Sequence, residues 1–541
     1  MSHKPDNADK PVHADGNSLK ETIESIVVAF ILAFVFRAFV VEAFVIPTGS
    51  MAPTLLGKHV ALHCPMCGYD FAADTRDAVV TPNGQSAIPR LIQGRGNGSG
   101  NGELSLDCPM CDYPITHPRL RTKPGDRILV LKYVYALSSP RRWDVVVFRN
   151  PEQPQVNYIK RLVGLPNESI WIVRGNVYTQ PLDPQTGEPA GPWRVQAKPP
   201  EDQRAVWQPI YHSRYVPLDA DQRRWRTPWL TRGTGWQVIE DGRAFRYKPT
   251  PDADNDPDAD PGGTLRFDFD RRNRFGRDYY PYNEFRSLPL VYIEDLSIGA
   301  TLDPDDSVGR VDLALRLERI EVEGSIDADG RAELRIRRPE GGPWIAVDRG
   351  EVRRWTGDRP RRVELWYADQ AATLWVEGKA VARFALPMRG DEGVAPDLRP
   401  FIVDLDELHE DGPPAVLPAA TIGVRGGALT LRNAAVHRDL YYTAENPERA
   451  IHRPLDLRDR QYFVLGDNSP ASKDSRRLKV VDPWVRHHTR AGHGADGVPA
   501  GLVPQKLMVG RAFFVYFPAP YALSPTALPF IPNFGDMRFI E

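Results

Sequence analysis

The chain has 541 residues, 69 of them basic and 71 acidic, for a formal charge of −2. That length exceeds one ordinary domain, so two or three folded units are expected, and the balanced charge gives no electrostatic reason to expect nucleic acid as a partner. Glycine (43) and proline (51) are plentiful, and the regular-looking segments alternate apolar and polar residues at strand spacing, so the fold is expected to be mainly β with little helix beyond the N-terminus.

Residues 1–22 are polar, with mixed charge and prolines at Pro5 and Pro11, which suits a disordered tail. Residues 23–46 form an apolar run, clean from Ile26 to Phe36 and then interrupted by Arg37 and Glu42. A spanning helix needs about 20 mostly apolar residues, and an arginine at the bilayer centre costs roughly 2.5 to 3.5 kcal/mol, so Arg37 and Glu42 are assigned to the far headgroups. A cleaved signal peptide fits poorly, because the charged start is weak and no small-residue cleavage site follows. A buried core helix competes with a retained single-pass anchor. The anchor is the expectation, since Pro47 would end the helix where the next chemistry begins. Lys4, Lys10 and Lys20 give a weak vote for a cytoplasmic N-terminus.

Directly behind the apolar run stands Pro47-Thr48-Gly49-Ser50-Met51. A serine hydroxyl attacks carbonyls poorly at neutral pH, so a nucleophile here requires a base, oxyanion donors and a rigid frame. A candidate base lies in the block Lys123–Tyr133, Trp143–Phe148 and Val156–Pro166, whose short β-branched runs bounded by Pro, Gly, Asn and Asp read as strands. In the last run Tyr158, Lys160 and Leu162 share one face, while Ile159, Arg161 and Val163 share the other. Desolvation against apolar neighbours is what makes a lysine usable as a base, and Lys160 has such neighbours. An ordinary exposed strand lysine is the plain alternative. Arg161 cannot substitute, because a guanidinium does not deprotonate in proteins.

A third block, Phe463–Arg476, is a strand entering a loop rich in Ser, Asp, Asn and Arg. By itself that is turn chemistry. Taken in chain order, Pro47–Met51, Tyr158–Arg161 with Gly164-Leu165-Pro166, and Gly466-Asp467-Asn468 with Ser472–Arg476 resemble the signature segments of type I signal peptidases. The resemblance covers residues 23–180 and 455–520. It implies a membrane-anchored serine endopeptidase with a Ser/Lys dyad on an antiparallel β fold, and cleavage of signal peptides from exported preproteins. It further implies a catalytic domain on the extracytoplasmic side of the cell membrane and no catalytic cofactor. Carried over by motif, Ser50 is the nucleophile and Lys160 the general base. Thr48 joins the Ser50 backbone N–H as oxyanion donor, Ser472 orients the lysine, and Asp474 and Arg476 form a supporting ion pair. Trp143 stands where a glycine is common, and Thr48 where serine is more frequent.

Two insertions depart from that pattern. The first, at 59–121, holds all four cysteines in two knuckles, Cys64-Pro65-Met66-Cys67 and Cys108-Pro109-Met110-Cys111. Paired Cys-x-x-Cys turns read as a structural four-cysteine zinc ribbon, with two disulfides as the alternative in an oxidising compartment. His59 and His63 are spare ligand candidates, and Gly94–Gly102 reads as a flexible spacer. The second insertion, 183–452, begins with a stretch rich in Pro, Arg and Trp to which no role is assigned. It includes an acidic loop, Asp252–Asp260, that reads as solvated rather than calcium-binding. From about 288 its runs alternate as a concanavalin-like or jelly-roll β-sandwich does. Glycan or protein binding is open for such a scaffold. The catalytic fold thus occupies 47–182 and 453–541. A membrane-tethered binding or scaffold protein on an inactive peptidase fold is the alternative, disfavoured because Ser50, Lys160, Thr48 and Ser472 are all present.

Overall fold

The computed structural model describes residues 16–74, 79–80, 86–87, 104–117, 122–249, 262–271, 276–277, 279–283, 291–305, 309–355, 359–442, 452–493, 497–520 and 532–540. The spacer Gly94–Gly102, the acidic loop Asp252–Asp260, the tail before Gly16 and the Arg37 side chain lie outside the described residues.

The N-terminal helix runs Gly16–Phe39. Ile23, Ile26, Val27, Val28, Phe30, Ile31, Leu32 and Phe34 on it are between 48% and 66% exposed. These positions fall all round the helix rather than on one stripe. Among the described residues no helix is long and apolar enough to cross a membrane. The apolar run expected to stay helical to Ile46 instead changes after Phe39. Val41–Val45 is a strand, paired antiparallel with Arg127–Leu131 from Val41 opposite Leu131 to Val45 opposite Arg127. The β-branched alternation Val-Glu-Ala-Phe-Val suits a half-exposed strand, and Glu42 there pairs with Lys132 at 3.2 Å.

The unit formed by the two flanking segments is an antiparallel sheet of eight strands. Its order is Val41–Val45, Arg127–Leu131, Met508–Phe517, Val145–Asn150, Gln153–Gly164, Gln461–Leu465 and Val503–Pro504, with Arg538–Phe539 beside Met508–Phe517. The period of two sorts the lysine strand. Tyr158 and Leu162 pack into a cluster with Phe148, Tyr462 and Val464, whereas Ile159 joins Met51, Leu55 and Val147 on another side. A smaller sheet of four strands, Arg194–Val195, Asn176–Pro181, Glu168–Val173 and Leu455–Leu457, continues from it.

The second insertion is a two-layer sandwich of an eight-stranded and a seven-stranded sheet. Ile298, Leu365 and Leu431 from the first face Leu313, Val322 and Val424 from the second in one buried core. The hairpin Ala371–Val376 to Lys379–Ala385 turns at Glu377 and Gly378, with φ of 49° and 77°, the paired left-handed conformation of a two-residue hairpin loop. The sandwich starts earlier than the expected 288. Gln208–His212, Trp236–Ile239 and Ala244–Tyr247 belong to its first sheet, and Trp229–Arg232 and Gly262–Phe267 to its second. Their tryptophans supply the reason: Trp225 and Trp229 are 9% and 1% exposed within the same core.

The two cysteine knuckles are the turns of two short hairpins, His59–His63 with Asp70–Asp74 and Leu104–Asp107 with Pro114–His117. Each repeats one geometry. Cys64 N–H donates to Tyr69 O at 2.9 Å and Cys108 N–H to Tyr113 O at 2.9 Å. The turns pass through left-handed residues Gly68 (φ 75°) and Asp112 (φ 60°). The knuckles pack on the sandwich core beside Ile210 and Val216.

Candidate active site

Thr48 is extended and leads into a single 3-10 turn, Gly49–Met51, that presents Ser50. The lysine strand faces it with Lys160, in register opposite Val146. Lys160 Nζ lies 2.7 Å from Ser50 Oγ and 2.8 Å from Ile159 O. Both side chains are buried, Ser50 at 6% and Lys160 at 3% exposure. The Tyr158 ring stands 5.3 Å from the amine. The two residues, distant in sequence, therefore meet at hydrogen-bond distance in a site shielded from water. Thr48 Oγ1 donates to Ser50 Oγ at 3.5 Å, so the two hydroxyls are on the same side of the turn.

The loop after Gln461–Leu465 closes over this pair. Gly466 is required by close approach, because a Cβ there would lie 2.2 Å from Ser472 Oγ and 2.4 Å from Ser50 O. Ser472 is thus brought to the site and fully buried beside Asp474, whose carboxyl its hydroxyl helps to hold low. Asp474 and Arg476 form a bidentate pair at 2.9 and 2.8 Å with both side chains fully buried. Gly466 N–H donates to Asp474 at 3.0 Å, and Arg476 reaches back to Ser469 Oγ at 2.7 Å. Burial alone would raise the Asp474 carboxyl, but the Arg476 guanidinium and the Gly466 amide outweigh it and hold the group below its ordinary range.

Sequence reasoning passed over a second buried pair. Arg161, on the face opposite Lys160, forks onto Asp467 at 2.9 Å through both Nε and Nη2, and both side chains are fully buried. Thr54 Oγ1 donates to the same carboxylate at 2.5 Å, tying the segment after Ser50 to the loop. An arginine on the strand face shared with Ile159 and Val163 was the available signal, since a buried guanidinium demands a partner. Asn468 is likewise part of the site. Its backbone N–H donates to Ser50 O at 3.1 Å and its side chain to Gly49 O at 2.9 Å.

Trp143, at the position where glycine is common, has φ 75°. Its carbonyl accepts from Arg161 at 3.0 Å and its indole donates to Ala197 O at 3.2 Å, so it wedges the catalytic sheet against the start of the second insertion.

The four cysteine sulfurs lie within 4.8 Å of one another. Cys64 and Cys111 are 3.6 Å apart, Cys67 and Cys108 3.5 Å, and no disulfide joins them. Four thiolates about 2.3 Å from one tetrahedral centre stand roughly 3.8 Å from each other, so this donor set fits a metal ion. The spare candidates point elsewhere: His59 Nδ1 meets Gly57 O at 2.7 Å and His63 Nδ1 meets Asp70 at 2.8 Å.

A sequence-family model described as "Signal peptidase, peptidase S26" matches residues 19–85, 114–220 and 415–517. The chain belongs to that family, and 221–414, inside the second insertion, falls outside the match. Among individual relatives, signal peptidase I of Pseudomonas aeruginosa is 40% identical over 73 residues, covering 10% of this chain and 26% of the relative. That of Rickettsia typhi is 26% identical over 161 residues, covering 30% of this chain and 43% of the relative. The chain therefore spans less than half the length of these curated relatives. A carbohydrate-binding module of Bacillus subtilis aligns with 39% of this chain and 96% of its own length at 9% identity. Its TM-score of 0.22 carries no argument about what the sandwich binds.

Proposed function

We propose that this chain is a membrane-anchored signal peptidase of type I, which removes N-terminal signal peptides from exported preproteins through a Ser50/Lys160 dyad and an acyl-enzyme. The observation that carries the reading is the buried 2.7 Å contact between Lys160 Nζ and Ser50 Oγ. The neutral Lys160 amine takes the Ser50 proton as Oγ attacks the scissile carbonyl. The tetrahedral oxyanion is met by the Ser50 N–H and the Thr48 hydroxyl. The ammonium then protonates the departing amine of the mature protein, leaving the signal peptide esterified to Ser50. Water, deprotonated by the same amine, attacks the ester and releases a carboxylate, and Ser50 regains its proton.

Val41–Val45 is the edge strand of the catalytic sheet and leads straight to Thr48 and Ser50. An extended substrate added to that edge would run main chain to main chain past the nucleophile. The helix before it, with its exposed apolar side chains, supports a bilayer seat with the N-terminus cytoplasmic and the catalytic unit outside. The four cysteines would hold a structural zinc ion that pins the two hairpins together. With four protein thiolates no position would remain for water, so the ion would have no part in hydrolysis.

The test uses purified full-length protein in detergent with a preprotein. Wild type is expected to cleave at the signal-peptide junction, and Ser50→Ala and Lys160→Ala to leave the preprotein intact. An inert wild type, or either variant cleaving at the wild-type rate, would sink the reading.

A further inference from the structure

The second insertion does not stand apart from the nucleophile. Its 3-10 turn Pro281–Asn283 sits on the turn that carries Ser50. The fully buried Tyr282 ring covers Gly49, where a Cβ would lie 2.2 Å from Tyr282 Cε1. Beside it Asn283, 6% exposed, exchanges two hydrogen bonds with Asn468. Asn283 Nδ2 donates to Asn468 Oδ1 at 2.6 Å, and Asn468 Nδ2 donates to Asn283 Oδ1 at 3.0 Å.

The second N–H of Asn468 Nδ2 goes to Gly49 O at 2.9 Å. That carbonyl fixes which way the Asn468 amide faces, because the opposite orientation would set two oxygens against each other. Gly49 O belongs to the peptide unit whose N–H is the Ser50 amide. The unit is planar and trans, so holding the oxygen on one side aims the N–H on the other. Asn468 N–H also grips the next carbonyl, Ser50 O, at 3.1 Å. The direction of the oxyanion-donating N–H is therefore set by Asn468, whose side chain the two hydrogen bonds with Asn283 hold in place against Gly49 O.

We infer that Asn283, contributed by the second insertion, is a positioning residue that aligns the Ser50 N–H for oxyanion binding by locking the Asn468 side chain. The inference rests on the signal-peptidase reading, and it makes the insertion part of the catalytic frame rather than an appended module. A misaimed oxyanion donor lowers the rate of the chemical step and leaves ground-state binding alone.

The experiment is a double-mutant cycle on the full-length protein, with kcat and KM measured for preprotein cleavage and folding followed by thermal melting. Asn283→Ala is expected to lower kcat about tenfold to a hundredfold, the scale of a small misalignment, with KM unchanged. In an Asn468→Ala background the same substitution should have no further effect on kcat, because the lock then has nothing to hold. Wild-type kcat in Asn283→Ala, or an equal loss in both backgrounds, overturns the inference. If Asn283→Ala does not melt cooperatively, Asn283→Asp replaces it. This variant keeps the side-chain volume but turns the donor toward Asn468 Oδ1 into an acceptor until it is protonated. Its kcat relative to wild type should rise as pH falls, and a ratio that stays at unity across pH overturns the inference. An inert wild type would instead count against the signal-peptidase reading, so the two failures are distinguishable.

Discussion

Thr48 offers a direct residue-scale measurement, because its hydroxyl is the one side-chain oxyanion donor proposed for the site and lies 3.5 Å from Ser50 Oγ. Thr48→Val keeps the shape and removes the donor, so kcat is expected to fall about 100- to 1000-fold. Thr48→Ser keeps the donor and should stay near wild type. The Asp474–Arg476 pair makes a different forecast. A buried carboxylate stripped of its partner costs about 3 to 5 kcal/mol, so Arg476→Met should show a large loss in denaturant midpoint. Asp474 is held below its ordinary 3.8, so its contribution is complete above that value and is lost as pH falls through the lowered one. An acid limb of the wild-type stability profile that persists unchanged in Asp474→Asn would contradict this. Ser50, Lys160 and the Ser472 loop were legible because their motifs are local strings. Arg161 with Asp467, and Asn283 with Asn468, were not legible, because such pairings are made by the sheet and leave no mark on the local period.

At the scale of elements, a buried carboxylate cluster joins the small sheet to the sandwich. Lys198 Nζ lies 2.9 Å from Asp369 and 2.8 Å from Asp439, so its ammonium is the cation of the group. Asp295 completes it. Burial first, then the charges of Asp369 and Asp439, pushes the Asp295 carboxyl well above its ordinary range. A raised folded value means the proton is held more tightly in the native state. That contribution is full at pH below the unfolded value and is lost as pH rises through the folded one. Asp295→Asn, neutral at every pH, is therefore expected to melt higher than wild type on the alkaline side, with the gain shrinking toward acid. A gain independent of pH would refute the assignment. The cysteine hairpins carry their own test. Purified protein should contain stoichiometric zinc, and chelation or Cys64→Ser should lower the melting temperature. Two disulfides and no zinc would remove the proposed site. The knuckles were legible because Cys-x-x-Cys fixes its own turn. The strand Val41–Val45 was not, because Val41 and Ala43–Val45 prolong the apolar run on either side of Glu42 and only pairing with Arg127–Leu131 distinguishes them from helix.

On the scale of the whole molecule, alternation in Arg310–Arg316, Arg331–Arg337 and Arg361–Ala368 announced the sandwich. Its earlier strands hid in a stretch dense in Pro, Arg and Trp, where runs such as Trp229–Arg232 and Trp236–Ile239 are too short for a period to show. The insertion enters and leaves through one small sheet, since the strand before it, Asn176–Pro181, and the strand after it, Leu455–Leu457, both pair with Glu168–Val173. Trp143 bears on that junction. Its left-handed backbone is strained for a bulky residue, and its indole is 4% exposed against the insertion.

The strand order of the catalytic sheet also bears on when the protein can act. Met508–Phe517 lies between Arg127–Leu131 and Val145–Asn150, so a segment made later fills the gap between two made much earlier. Ser50 and Lys160 are translated long before the ladder that holds them can be closed, and the sandwich is synthesised in the interval. A nascent chain thus carries both halves of the proposed dyad on an open sheet until Met508–Phe517 has been made, and only then can one closed ladder hold the two together.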